Sequence, residues 1–294
     1  MFHPGEAEVQ RRAGARVRPG WGSGVVSSAI PGVARSFLLE QRLLALGAAD
    51  DDGRVWASVL TGEPGFVRAI DDHTILTAVA PGTPDPLGCS FDAERSIGIL
   101  AIEPSTRRRM RVNGRARREG AGLHIRTEQV YANCPKYIQG RSVAEQLDGP
   151  PGSARSSRSL SEEQRVWIRA ADTFFVATHA EGLGADVSHR GGHPGFVSVD
   201  GNVLTWPDYV GNSMYMTLGN LELDPRAGLV FVDWDRGDTL QMTGRARVDW
   251  DEGRKRDFAG AERLIDFEVD EVVQLDHHTT VRWSFEKYSR FNPT

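Results

Sequence analysis

Cysteine is scarce: Cys89 and Cys134 are the two thiols in 294 residues. So few in so long a chain exclude a disulfide scaffold and point to a reducing compartment, hence a cytoplasmic location. No apolar run approaches the roughly 18 residues of a transmembrane helix, and no signal-peptide core is present, so neither membrane nor export is indicated. A basic excess is missing too. The net charge is −5, which argues against nucleic-acid binding. Metal-ligand spacing is also lacking: His277 and His278 follow Asp276 without further partners, and they read as an exposed pair rather than a metal site.

What is present is globular. Apolar residues make up 39% and charged residues 26% of the chain, a composition and length that suit two domains with real cores. The 32 glycines and 15 prolines are spread along it, as in a turn-rich β protein. Gly5 to Arg12 predicts a short helix in an N-terminal arm, and Arg35 to Leu46 carries apolar residues at helical intervals. Val55–Leu60, Gly65–Ile70, Thr74–Val79 and Ile97–Ile102 read as strands. Seven arginines then fall between 107 and 118. A charge run is commonly a solvated face, but alternation places Arg109 and Arg111 together on one side, where they can face an anion. Residues 141–160 are rich in Gly, Pro, Ser and Arg and read as a connection. Ser161 then caps a helix, with Gln164 three residues on, that runs to about Ala171.

The second half repeats the first. Pro64-Gly65-Phe66-Val67 recurs as Pro194-Gly195-Phe196-Val197, Gly98 with four apolar residues recurs at Gly228, and Gly114-Arg115-Ala116-Arg117 recurs at Gly244. All three pairs share an offset of 130 residues. An offset without drift marks an internal duplication. The expected architecture is mainly β with minor α: two tandem antiparallel barrels that meet as an intrachain pseudo-dimer. The divisions are an arm over 1–33, a degenerate first repeat over 34–140, a connection over 141–160 and a second repeat over 161–294. Whether the whole chain forms a homodimer as well is left open.

The repeats differ most between Gly184 and Tyr209. Asp186-Val187-Ser188-His189-Arg190-Gly191 ends a strand at a glycine-rich corner, which offers a guanidinium, an imidazole and backbone N–H groups to a phosphate. The aligned positions in the first half are Ser58-Val59-Leu60-Thr61, without the cation. Further on, Trp206-Pro207-Asp208-Tyr209 presents flat side chains to a ring. A dianionic tail and a flat heteroaromatic head describe flavin mononucleotide, FMN. The same residues also fit a plain polar corner and a core tryptophan.

With these residues in view, the second half resembles the pyridoxamine 5′-phosphate oxidase-like FMN-binding split barrels. In that family a strand ending in a basic residue and an aromatic-rich segment grip the FMN, which places those roles on Ala185–Arg190 and Trp206–Tyr209. The whole chain is similar to a two-repeat branch through Phe2-His3-Pro4-Gly5-Glu6, Gly53-Arg54-Val55-Trp56-Ala57-Ser58, Asn133-Cys134-Pro135-Lys136-Tyr137-Ile138, Gly211-Asn212-Ser213 and Gly237-Asp238-Thr239-Leu240-Gln241. Where the vitamin B6 enzyme has Arg-Lys, this chain has Asn212-Ser213, so specificity for pyridoxamine phosphate does not carry over. Because family sites lie between barrels, Arg109 and Arg111 are placed to replace the missing cations.

The resemblance implies an FMN-dependent oxidoreductase that transfers hydride between a small-molecule substrate or nicotinamide and an acceptor such as oxygen. The alternative is a non-catalytic flavin carrier or sensor. On this reading Arg190 takes the phosphate, and Ser188 and His189 bond ribityl or phosphate oxygens. Trp206 and Pro207 pack near the ring, and Asp208 orients a substrate or caps the next segment. Asn212, Ser213 and Gln241 are lesser polar contacts. Asn133, Lys136 and Tyr137 line the substrate side, while Cys134 reads as structural.

Overall fold

The computed structural model describes residues 2–15, 26–132, 134–147, 149 and 152–294. Helix α1 (Pro4–Arg12) opens the chain and α2 (Gly32–Leu39) leads into the first sheet. That sheet holds β1 (Leu43–Ala49), β2 (Val55–Thr61), β3 (Val67–Ala69) and β4 (Thr74–Thr77). Its long strands are β5 (Arg95–Glu103), β6 (Arg108–Glu119) and β7 (Gly122–Ala132). Next come β8 (Gly140–Gln146), β9 (Ala154–Ser157) and α3 (Glu162–Ala170). The second sheet starts with β10 (Thr173–Ala180), β11 (Gly184–Gly191), β12 (Ser198–Asp200) and β13 (Val203–Asp208). After α4 (Met216–Leu223) it is completed by β14 (Arg226–Val232), β15 (Thr239–Asp249) and β16 (Arg263–Leu275). Strand β17 (Val281–Lys287) closes the described secondary structure.

The two sheets have one topology. The first runs β2-β1-β5-β6-β7-β4-β3 and the second β11-β10-β14-β15-β16-β13-β12, antiparallel throughout. Even the irregularities coincide: the β6–β7 register shifts between Asn113 and Gly114, and the β15–β16 register shifts between Thr243 and Gly244. Mainly antiparallel β structure with two like sheets agrees with the architecture expected from the repeat.

Buried apolar clusters explain why the halves stay together. One fills the first barrel around Trp56, Phe91 and Ile99, and a second fills the other around Phe174, Trp206 and Phe231. A third draws on both: Leu43, Ala45, Ala57 and Leu100 pack with Phe175, Ala177, Val187 and Val230. Strands β1 and β2 are therefore buried on both faces along most of their length, and their sequences read as near-continuous apolar runs rather than alternating ones. Close approach fixes two glycines. A Cβ on Gly98 would lie 2.7 Å from the Asp186 Cα, and one on Gly228 would lie 2.5 Å from the Trp56 Cα. The two contacts are the same contact under a local two-fold.

Two sequence expectations need correction. The helix expected over 35–46 stops at Leu39, and Leu43–Leu46 belong to β1. Four consecutive buried residues satisfy two packing surfaces at once, which a helix of that length cannot offer; Gln41 Nε2 donates to the Phe37 carbonyl at 2.7 Å and ends the turn. The stretch over 141–160 also holds strands: β8 pairs with β17, and β9 with β16. Strand β9 is exposed along its whole length, so it carries no apolar alternation to read. The Ser161–Gln164 capping box is present as expected.

Candidate functional site

Between the barrels lies a cleft of about 850 Å³ including its open mouth, within the range of small-molecule sites. Strand β6 of the first barrel contributes Arg109 and Arg111, and the turn after β7 contributes Lys136 and Tyr137. The second barrel supplies Ser188, His189, Arg190 and Gly191 from β11, Pro207 and Asp208 from β13, and Tyr209. Residues 211–215 and the first turn of α4 close it.

Arg111 is held by neighbours. Its guanidinium donates to both oxygens of Asp186 at 3.1 and 3.3 Å, to the Tyr131 hydroxyl at 3.3 Å and to Ser188 Oγ. Thr217 Oγ1 donates to Asp186 at 3.0 Å and lies 2.8 Å from Ser188 Oγ. Arg109 has no such partner. No hydrogen bond or ion pair reaches it among the described residues, and its Nε is buried and unsatisfied. Burial, with Arg111 and Arg190 nearby, pushes its guanidinium down to about 9, which marks a cation without a counter-charge. Arg190 is intermediate: Asp208 stands 3.9 Å away, while its Nε is buried without a partner. Burial lowers the Arg190 pKa against the pull of Asp208, and burial raises Asp208 against Arg190 and Arg263. Three guanidiniums thus converge on one wall, where two carboxylates answer them incompletely.

The backbone is held in costly conformations around the same cleft. Tyr137, Ser213 and Tyr215 have φ of 66°, 58° and 58°, left-handed values that are unfavourable for side chains of this size and that cluster at functional sites. Gln139, 1% exposed, secures the region. Its Nε2 donates to the carbonyls of Tyr137, Asp172 and Gly192 at 3.1, 3.2 and 3.1 Å, and its Oε1 accepts from the Ser289 N–H at 2.8 Å. Gly191 must be glycine here, because a Cβ would lie 2.2 Å from the Tyr137 carbonyl oxygen. Tyr137 and Tyr209 pack with ring centroids 5.0 Å apart, and the Tyr137 hydroxyl donates to the Val210 carbonyl.

Residues 160–279 match the family model described as pyridoxamine 5′-phosphate oxidase. The second barrel belongs to the pyridoxamine 5′-phosphate oxidase-like family. A Lactobacillus delbrueckii protein provisionally named a pyridoxamine 5′-phosphate oxidase is similar at 19% identity and a TM-score of 0.33, covering 40% of this chain and 94% of its own. HupZ of Group A Streptococcus is similar at 13% identity and a TM-score of 0.31, over 37% of this chain and 89% of its own. A FAD-binding protein of Mesorhizobium loti is similar at 12% identity and a TM-score of 0.30, over 42% and 97%. A search of curated protein sequences finds no match.

Within this oxidase-like barrel and its partner, the cleft gathers Arg109, Arg111, Lys136, Tyr137, Ser188, His189, Arg190, Gly191, Pro207, Asp208, Tyr209, Asn212 and Ser213. Four expected residues sit elsewhere. Asp186 stands behind the wall as the partner of Arg111, and Val187 is part of the core between the barrels. Trp206 does not face the cleft: it packs edge-on against Phe174 at 5.2 Å in the barrel core, the plain alternative that the sequence left open. Its strand alternates faces, so Pro207 points where Trp206 does not. Gln241 lies at the place related to Arg111 by the local two-fold, with Thr239 in the place of Arg109. There its Nε2 donates to the Ala57 carbonyl at 3.0 Å and to Asp85 at 3.1 Å. Asp85 also accepts from Ser58 and from the Leu87 N–H, so the mirror place is filled by the protein itself. Asn133 lies outside the described residues. Of the backbone N–H groups expected to be free at the glycine-rich corner, that of Gly192, the residue after Gly191, is spent on the Asp172 carbonyl at 3.1 Å. Tyr131, Thr217 and the first turn of α4 join the site unforeseen, because no sequence period announces them.

Among the described residues no helix is long and apolar enough to cross a membrane, and no cluster of His, Cys, Asp and Glu has the makings of a metal site.

Proposed function

We propose that the chain is an FMN-dependent oxidoreductase acting on a small molecule, with the cofactor held between the two barrels. The unpaired Arg109 beside Arg111 and Arg190 carries this reading. Converging guanidiniums without enough carboxylates suit a phosphomonoester, which accepts several charge-assisted hydrogen bonds at once. Arg109 and Arg190 would take the phosphate, Ser188 and Thr217 would bond ribityl hydroxyls, and Pro207 and Tyr209 would offer wall to the ring. Family membership of the second barrel supports the choice of a flavin among phosphorylated ligands. A bound flavin supplies hydride transfer, which side chains cannot provide. The chain binds, orients and shields: Asp186 and Tyr131 fix Arg111, and Asp208 links Arg190 to Arg263.

Freshly purified protein is expected to be yellow, with a chromophore that is released on denaturation and has the mass of FMN. Anaerobic NADH, NADPH or a substrate should bleach it, and air should restore it. Colourless protein whose addition leaves FMN fluorescence unchanged overturns the reading, and a yellow protein that no donor bleaches reduces it to a flavin carrier.

A further inference from the structure

We propose that His189 is the proton-linked contact of the cleft: an entering phosphomonoester dianion brings a proton onto its imidazole. The inference rests on the anion-site reading of Arg109, Arg111 and Arg190.

His189 is 4% exposed and lines the same wall as the three guanidiniums. No hydrogen bond reaches either ring nitrogen among the described residues, and Nε2 is fully buried. Among the described residues its one ring neighbour is Phe175, edge-on at 6.0 Å. A buried imidazole without partners is rare in a finished core, because burial removes water from a group that needs it. The ring is therefore placed for a partner that the chain does not supply.

The charges around it say which partner. Arg109 and Arg111 on β6, Arg190 next to it on β11, and Arg141 on β8, paired to Asp172 at 2.7 Å, all lie near enough to act on it through space. The carboxylates nearby are already engaged: Asp186 by Arg111, and Asp208 by Arg263 at 3.0 Å. Burial first, and then this cationic field, hold the imidazole neutral, well below its ordinary pKa. A dianion reverses the field and brings acceptor oxygens, so both causes of the depression weaken together. The sign follows by linkage. The bound-state pKa exceeds the free-state pKa, so between the two values binding takes up a proton and tightens as pH falls, by up to about tenfold per pH unit.

Isothermal titration near pH 6.5, in two buffers of different ionisation enthalpy, measures the proton count. FMN and inorganic phosphate serve as separate probes, on the full chain and on His189→Gln. A phosphomonoester releases its own proton near a pKa of about 6, but that release is common to both proteins and cancels in the difference. The expected difference is uptake of up to about one proton per ligand, lost in the variant together with the pH dependence of affinity. Equal proton counts in the two proteins overturn the proposal while leaving the anion site standing. Binding of inorganic phosphate with the proton signature, but no binding of FMN, supports the proposal and sinks the flavin reading instead. Should the variant fail to fold, ¹⁵N-histidine spectra of the unaltered chain decide: one ring must pass from neutral to imidazolium on adding phosphate, and eight unchanged rings refute it.

Discussion

Arg111 on β6 of the first barrel donates to both carboxylate oxygens of Asp186 on β11 of the second, with side chains 8% and 2% exposed. The pair joins the repeats and forms the back of the cleft. Removing one partner strands a buried charge, so Asp186→Ala is expected to lower stability by roughly 3–5 kcal/mol. Replacing both with apolar residues, as in Arg111→Met with Asp186→Leu, should cost less than the single change. Urea unfolding midpoints of the single and double variants measure this. A double variant as unstable as the sum of its parts would show that the two groups act independently.

Arg109 predicts the opposite split between stability and binding. It has no partner among the described residues and its Nε is buried, so Arg109→Gln relieves a cationic cluster without breaking a pair. The ligand-free variant should melt at the same temperature or higher. Its FMN affinity should fall by about 1.5–3 kcal/mol, the worth of a hydrogen bond to a charged group. Thermal melts with and without FMN separate the two effects. A variant that is less stable without ligand yet binds FMN normally would make Arg109 a structural residue.

The local two-fold makes a paired prediction. Gly98 and Gly228 each touch the other barrel's backbone where a Cβ would lie within 2.7 Å of a main-chain atom. Gly98→Ala and Gly228→Ala should each cost about 1–3 kcal/mol by overpacking, and by similar amounts. Strongly unequal unfolding midpoints would show that the halves do not meet through equivalent surfaces.

These two glycines also show why the duplication was legible. A close backbone contact admits no side chain, so the spacing survives in the sequence while surface residues drift. Arg109 and Arg111 were legible for a similar reason, since strand alternation fixes which residues share a side. Trp206 and Gln241 were not. Alternation says that two residues lie on opposite faces but not which face meets the ligand, and Gln241 follows its repeat onto the sealed mirror place. The α4 turn escaped altogether, because Ser213 and Tyr215 enter left-handed conformations that packing imposes and no glycine announces.

Helix α1 supplies a test that depends on pH. It lies against α4, with Gly5 facing Gly219, and Glu6 is buried at 3% exposure while accepting from the His3 N–H at 2.8 Å. Burial pushes the Glu6 carboxyl up to about 7, and the charge of Asp186 adds to the rise. A raised carboxyl pKa means that the folded state holds the proton longer than the unfolded one. The stabilisation is therefore complete below the unfolded value and is lost as pH rises through about 7. The full swing is at most about 3–4 kcal/mol. His3 works in the other direction, since burial lowers its pKa and its neutral form is favoured. Docking of α1 should therefore loosen between pH 5 and pH 8, seen as faster amide exchange in Glu6–Arg12 after correction for the intrinsic rate. Glu6→Gln keeps the acceptor and removes the charge, so exchange in that variant should lose most of this pH dependence. If Glu6→Gln and the unaltered chain loosen alike, Glu6 does not control the docking. If neither loosens, the carboxyl is already ionised and hydrated in the folded protein.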